Sequence, residues 1–193
     1  MEPIRELIAV DLEMTGLQVK TDRILEIGAV RLVDGQLRDT FQTFVNPHRR
    51  IDARITELTG IRPEMVEDAP EAEEALRKFL EFAGEAPFLG HNVIFDYSFL
   101  KQCAVNHKIS LERSALDTLK IARKVLKEPE KKSLEALCGY FQIDREHAHR
   151  AVDDAKATAE LFLMLQQKYQ QQEPGLFVPK PLHYKVKKQG PLT

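Results

Sequence analysis

The apolar run Leu7-Ile8-Ala9-Val10 is the first of three strand-type segments near the start of the chain, and it leads straight into Asp11-Leu12-Glu13. Successive side chains of a strand alternate faces, so Asp11 and Glu13 point the same way and bring two carboxylates to one spot. Like charges held together are tolerated when water hydrates them or when a divalent cation lies between them. Both readings stand on this pair alone. The second segment, Ile24 to Leu32, is aliphatic and ends at Asp34-Gly35, a strong hairpin signal. The third, Leu37 to Val45, alternates and stops at Asn46-Pro47. Three strands with short links predict an antiparallel meander.

The pattern then changes. Residues 51–68 are polar with Ile55, Leu58 and Ile61 as anchors, and read as short helix and loop. Ala75, Leu76, Phe79, Leu80 and Ala83 recur at helical spacing before Gly84. Pro87 to Asn92 reads as a short strand, followed by a helix from about Phe95 to Val105. Ala115 to Leu119 reads as a strand end entering a helix through Arg123, with Asp117 as its cap. Two more helices follow, one capped by Ser133 and ending near Gly139, the other over Ala151 to Tyr169. A meander followed by alternating strands and helices predicts an α/β fold with a mixed sheet flanked by helices.

The 193 residues suit one well-buried domain. From Gln170 onward Pro, Gly and the lysines 180, 185, 187 and 188 suggest a flexible extension or docking arm. A net charge of −2 argues against a protein that coats long nucleic acid, though it leaves room for an enzyme that grips a few terminal nucleotides. No apolar run is long enough to cross a bilayer and the first residues lack a signal-peptide layout, so the expected location is the cytoplasm, with no membrane partner. Cys103 and Cys138 lack metal-site spacing and are expected to be reduced and buried.

Two further clusters carry polar groups. In Gly90-His91-Asn92-Val93-Ile94-Phe95-Asp96 an acid opens a helix just after a strand, either as a first-turn charge or as a site residue at the strand's carboxyl end. In His147-Ala148-His149-Arg150-Ala151-Val152-Asp153-Asp154, residues 149 and 154 would lie roughly 140° apart on one helix. They share a site only if His149 stands on the loop before the helix. Spacing alone favours Asp153 as the partner of His149.

Asp11-Leu12-Glu13 with Thr15-Gly16-Leu17, His91-Asn92-x-x-Phe95-Asp96 and His149-x-Ala151-x-x-Asp154, in that order, resemble the three motifs of the DEDDh, DnaQ-like exonucleases, among them the proofreading epsilon subunit of bacterial DNA polymerase III. The resemblance spans about residues 5–168. It implies a ribonuclease H-like fold, an exonuclease domain over residues 1–170 and a basic tail over 171–193. It also selects Asp154 rather than Asp153.

By the same resemblance Asp11, Glu13, Asp96 and Asp154 hold two Mg²⁺ or Mn²⁺ ions, and His149 serves as the base. Thr15, Gly16 and Leu17 meet the terminal nucleotide, with His91, Asn92 and Phe95 lining its pocket. The implied reaction is 3′–5′ removal of nucleoside 5′-monophosphates from single-stranded or frayed 3′ ends, most simply of DNA. Met14 departs from the epsilon pattern and makes this motif similar to that of oligoribonucleases, so trimming of short RNA is the alternative. A polymerase subunit is the implied partner of the tail. A non-catalytic binding module would be expected to have lost an acid or the base, and all five are present.

Overall fold

The computed structural model describes residues 5–145 and 149–186. Strands β1 (Glu6–Met14), β2 (Ile24–Val33) and β3 (Gln36–Phe44) form the meander. Asp34 and Gly35 both adopt positive φ in the turn between β2 and β3, the conformation a two-residue hairpin turn demands. Helices α1 (Ala53–Thr59), α2 (Pro63–Val66) and α3 (Ala72–Ala83) follow. Strands then alternate with helices: β4 (Phe88–Gly90), α4 (Val93–Asn106), β5 (Ser114–Asp117), α5 (Thr118–Val125), α6 (Leu134–Phe141) and α7 (Ala151–Tyr169). The sheet runs β3-β2-β1-β4-β5-β6, antiparallel between β1, β2 and β3 and parallel across β1, β4 and β5. This is the mixed sheet expected from the order of elements.

The two faces of β1 enter different cores. Ile8, Val10 and Leu12 pack with Phe79, Phe88, Tyr97 and Leu100 toward α3 and α4. Leu7 and Ala9 pack with Ile121, Leu137, Phe162 and Leu165 toward α5, α6 and α7. Asp11 and Glu13 continue the second face, so α7 is the helix that covers them. Both cysteines are buried and free.

The chain beyond residue 170 departs from the flexible extension suggested by its composition. A 3-10 turn at Pro174–Phe177 leads into β6 (Lys180–Pro181), which pairs antiparallel with β5. Phe177 is 2% exposed and its ring lies 6.1 Å from that of Phe162. Apolar anchors spaced between turn residues bind this segment to the sheet edge, and Leu182 is buried as well. Lys187, Lys188 and the rest of the tail lie outside the described residues, as does His147.

Candidate active site

Asp11 and Glu13 sit inside β1 rather than beyond its end. In the ladder with β2, Asp11 faces Gly28 and Glu13 faces Glu26, with an irregularity immediately after Glu13. Such a break bends the strand where its side chains must be aimed. Strand β4 pairs with β1 only at Ile8 and Ala9, so farther along β1 the backbone on that side takes another partner. The Leu12 N–H donates to Asp96 Oδ1 at 3.1 Å, fastening the first turn of α4 to the strand.

Asp154, in the first turn of α7, completes the cluster. One potential ligand atom from each of Asp11, Glu13 and Asp154 lies within 4.8 Å of the others. Asp153 instead pairs with Lys156 at 3.7 Å. Asp96 is outside that group of three but contributes the strongest neighbouring charge at Asp11. Burial, followed by the charges of Asp96, Glu13 and Asp154, holds Asp11 well above the usual carboxylate range. Burial and then Asp154 push Glu13 up to about 8. Burial pushes Asp96 up to about 7 despite the Leu12 N–H bond. Asp11, Glu13 and Asp96, so compressed, hold protons more tightly than ordinary carboxyl groups, and a cation at the cluster would displace them. Oxygen donors of this kind suit Mg²⁺ or Mn²⁺, and the described residues offer no cysteine–histidine set for a softer metal.

Three residues that sequence reasoning passed over build this geometry. Gly28 is the first: a Cβ there would stand 2.1 Å from the Val152 nitrogen and 2.2 Å from the Ala151 carbonyl carbon. Only glycine lets the α7 backbone descend onto β2 opposite Asp11, and an isolated Gly in an aliphatic strand was the available signal. Glu26 is the second, fully buried with Arg150 Nη2 at 3.1 Å and Gln42 Nε2 at 2.6 Å. A charge amid Ile24–Leu32 marks a position that must find a partner. Through Arg150, which also lies over the Phe44 ring, Glu26 fastens the entry to α7. Arg145 is the third, donating to Asp154 Oδ1 through Nε at 3.0 Å and Nη2 at 2.6 Å. Nothing in its spacing announced that pairing.

His149 stands on the loop before α7 in a left-handed conformation, φ 65°, followed by Arg150 at the helix cap. This is the off-helix placement its spacing from Asp154 required. Thr15 is fixed by its Oγ donating to Asp22 and accepting from the Arg23 N–H, and its own N–H bonds the Arg23 carbonyl. A Cβ at Gly16 would strike the Asp22 carboxylate at 2.4 Å. Leu17 is 75% exposed beside this loop, an apolar side chain offered to solvent. Phe95 meets Phe99 edge-on at 5.5 Å.

His91 is the exception among the expected pocket residues. Its Nδ1 lies 2.9 Å from Thr118 Oγ and its Nε2 2.7 Å from the Lys132 carbonyl oxygen, so both ring nitrogens are used within the protein. Burial lowers its pKa, leaving a neutral ring that ties the end of β4 to the segment before α6. Asn92 takes φ 66° and donates its N–H to Asp117 Oδ1. The same oxygen accepts from Leu119 N and Lys120 N, which makes Asp117 the cap of α5. The basic loop near residue 50 is partly neutralised: His48 pairs with Glu71, Arg49 with Asp22 and Arg62 with Glu64.

A mixed sheet carrying clustered acids at the end of its central strand defines a class of nucleases, and comparison with known proteins agrees. The exonuclease model of the RNase T type matches residues 8–162, and the chain belongs to that family, with the DEDDh exonucleases as its structural neighbours. The PolC-type DNA polymerase III of Caldanaerobacter subterraneus subsp. tengcongensis is 45% identical over 166 residues, 86% of this chain and 12% of that protein. The PolC-type DNA polymerase III of Bacillus subtilis is 37% identical over 161 residues, 82% of this chain and 11% of that protein. The chain thus spans about an eighth of such relatives or less. Exonuclease X in complex with 5′ overhanging duplex DNA superposes with a TM-score of 0.72 at 25% identity, covering 89% of this chain and 99% of that one. The nuclease domain of 3′hExo, a DEDDh family member bound to rAMP, shares the fold with a TM-score of 0.75 at 20% identity, over 86% and 94% of the two chains. No helix among the described residues is long and apolar enough to cross a membrane.

Proposed function

We propose that this chain is a metal-dependent 3′–5′ exonuclease that removes nucleoside 5′-monophosphates from single-stranded or frayed 3′ ends of DNA, in a proofreading or repair role. The observation that carries the reading is the convergence of Asp11, Glu13 and Asp154 to within 4.8 Å, beside Asp96. Identity to PolC-type DNA polymerase III chains favours DNA over RNA as the substrate, and a replicative polymerase as the partner.

Asp11, Glu13, Asp96 and Asp154 would hold two Mg²⁺ or Mn²⁺ ions. Such ions, when bound, withdraw charge from a scissile phosphate and make an attacking water more acidic. His149 would accept the water's proton at an imidazole nitrogen and return it to solvent, the part of a positioned general base. Thr15 and Gly16, held by Asp22, would shape the contact with the terminal sugar. Leu17 and Phe95 would pack against the terminal base, and Asn92 would border the same pocket.

Incubation with end-labelled single-stranded DNA, mismatched duplex and short RNA, each with Mg²⁺, Mn²⁺ or chelator, tests the reading. Stepwise, metal-dependent release of 5′-monophosphates from DNA 3′ ends is expected. Absence of metal-dependent release from every substrate would sink it, and a preference for short RNA would replace DNA by RNA as the substrate.

A further inference from the structure

A groove of about 630 Å³ opens beside Asn92, one helical turn before Asp96, and is walled by His91, Arg123 of α5, and Glu130, Lys132 and Ser133 ahead of α6. The segment that builds this wall is unusual in a chain of net charge −2. Residues 120–132 contain Lys120, Arg123, Lys124, Lys127, Lys131 and Lys132 against only Glu128 and Glu130. Among the described residues none of these eight groups enters an ion pair, whereas Arg145 and Arg150 beside the carboxylates both do. Arg123 is exposed. Lys132 Nζ donates to the carbonyls of Lys127 and Pro129, which holds the ammonium at the wall with a third N–H to give. The segment is also anchored to the sheet, because His91, just after β4, bonds the Lys132 carbonyl.

We propose that this groove holds phosphates of the substrate strand upstream of its 3′ terminus, an inference that rests on the exonuclease reading above. Unpaired cations on a fixed wall that reaches Asn92, the residue capping the helix that carries Asp96, complement a polyanion, and contacts to phosphate set register without reading sequence. A released mononucleotide has only one phosphate and needs no wall extending from α4 to α6. The carboxylates act at the scissile bond, and the groove keeps the remaining strand from leaving between cleavages. Glu130 on the wall lowers the local potential, so the grip is limited to a few phosphates.

The test compares Arg123→Ala/Lys132→Ala with Lys78→Ala/Lys168→Ala, which removes the same charge elsewhere. Binding of a fluorescent single strand of about 15 nucleotides, near the upper end of the roughly 4–16 nucleotides that one OB-fold spans, is measured in chelator over a salt series. Each lost phosphate contact should flatten the plot of log K against log salt by about 0.7, so the groove pair should flatten it by about 1.4 and the control pair should not. Arg123→Gln, at an exposed position, should give about half that change. The ratio of kcat/KM on the long strand to that on a dinucleotide should fall severalfold for the groove pair. An unaltered slope, an equal change in the control pair, or an unaltered ratio would overturn the proposal. Because binding is read without metal, a chain that grips DNA through the groove yet cleaves nothing would refute the exonuclease reading and leave the groove standing.

Discussion

Gly28 faces Asp11 across the β1–β2 ladder, and a Cβ on Gly28 would stand 2.1 Å from the Val152 nitrogen at the start of α7. The absence of a side chain on one strand thus sets the depth at which Asp154 approaches the acids of its neighbour.

Gly28→Ala is therefore expected to push α7 outward, because the obstacle is backbone and cannot rotate aside. A loss of about 1–3 kcal/mol is expected for overpacking of this kind, read by chemical denaturation. Mn²⁺ affinity should fall with it, by calorimetric titration, and an unchanged affinity would uncouple Gly28 from the site.

Metal-free protein should lose stability as pH rises. Glu13 ordinarily titrates near 4.5 but is pushed up to about 8 here, and Asp96 goes from 3.8 to about 7. Between those values the folded chain binds more protons than the unfolded one, so the free energy of unfolding falls with pH across roughly 4 to 8. Thermal melts in chelator should drop over this window. Added Mg²⁺ or Mn²⁺ should restore stability most at its upper end, since cations favour the ionised carboxylates.

His149→Ala should lower turnover by about 10²–10⁴-fold, the usual range for loss of a general base, while Mn²⁺ titration stays near that of the unaltered protein. Asp154→Asn should impair both. Full turnover of His149→Ala at neutral pH would refute the assigned role.

Glu26→Ala removes the buried partner of Arg150. Breaking such a pair costs about 3–5 kcal/mol when both groups are sealed from water, and Arg150 retains 27% side-chain exposure, so a loss at or below the lower end is expected. A double-mutant cycle with Arg150→Met should show coupling between the two. Independent effects would mean that Glu26 does not act through Arg150.

Phe177→Ala should destabilise the domain by about 3–5 kcal/mol, the range for deleting a buried aromatic ring. Denaturation of this variant distinguishes an integral segment from an appended arm, on which the substitution would have little effect.

Local patterns foretold most of the framework. Alternation and the Asp34-Gly35 turn announced the meander, and apolar spacing placed α7 at the residues it occupies. Asp117 behaves as the cap its position suggested. The docking of residues 174–182 is not legible in their composition, because Pro, Gly and Lys describe a loop equally well whether or not Phe177 and Leu182 find a surface to bury against. His91 shows the same limit: its place beside Asp96 is a matter of sequence, while the direction of its ring follows from Thr118 and Lys132, distant along the chain.

The sequence by itself determined which residues are acids, that Asp11 and Glu13 share one face of a strand, and that His149 precedes a helix carrying Asp154. These follow from periodicities of two and of 3.6 residues, which act over a single element. Only the tertiary structure decided that Asp154 lies within reach of Asp11 and Glu13, that Asp96 is fastened through the Leu12 N–H, and that Glu26, Gly28 and Arg145 support the arrangement. Those outcomes depend on how closely separate elements approach, and close approach is set by packing between residues far apart in the chain.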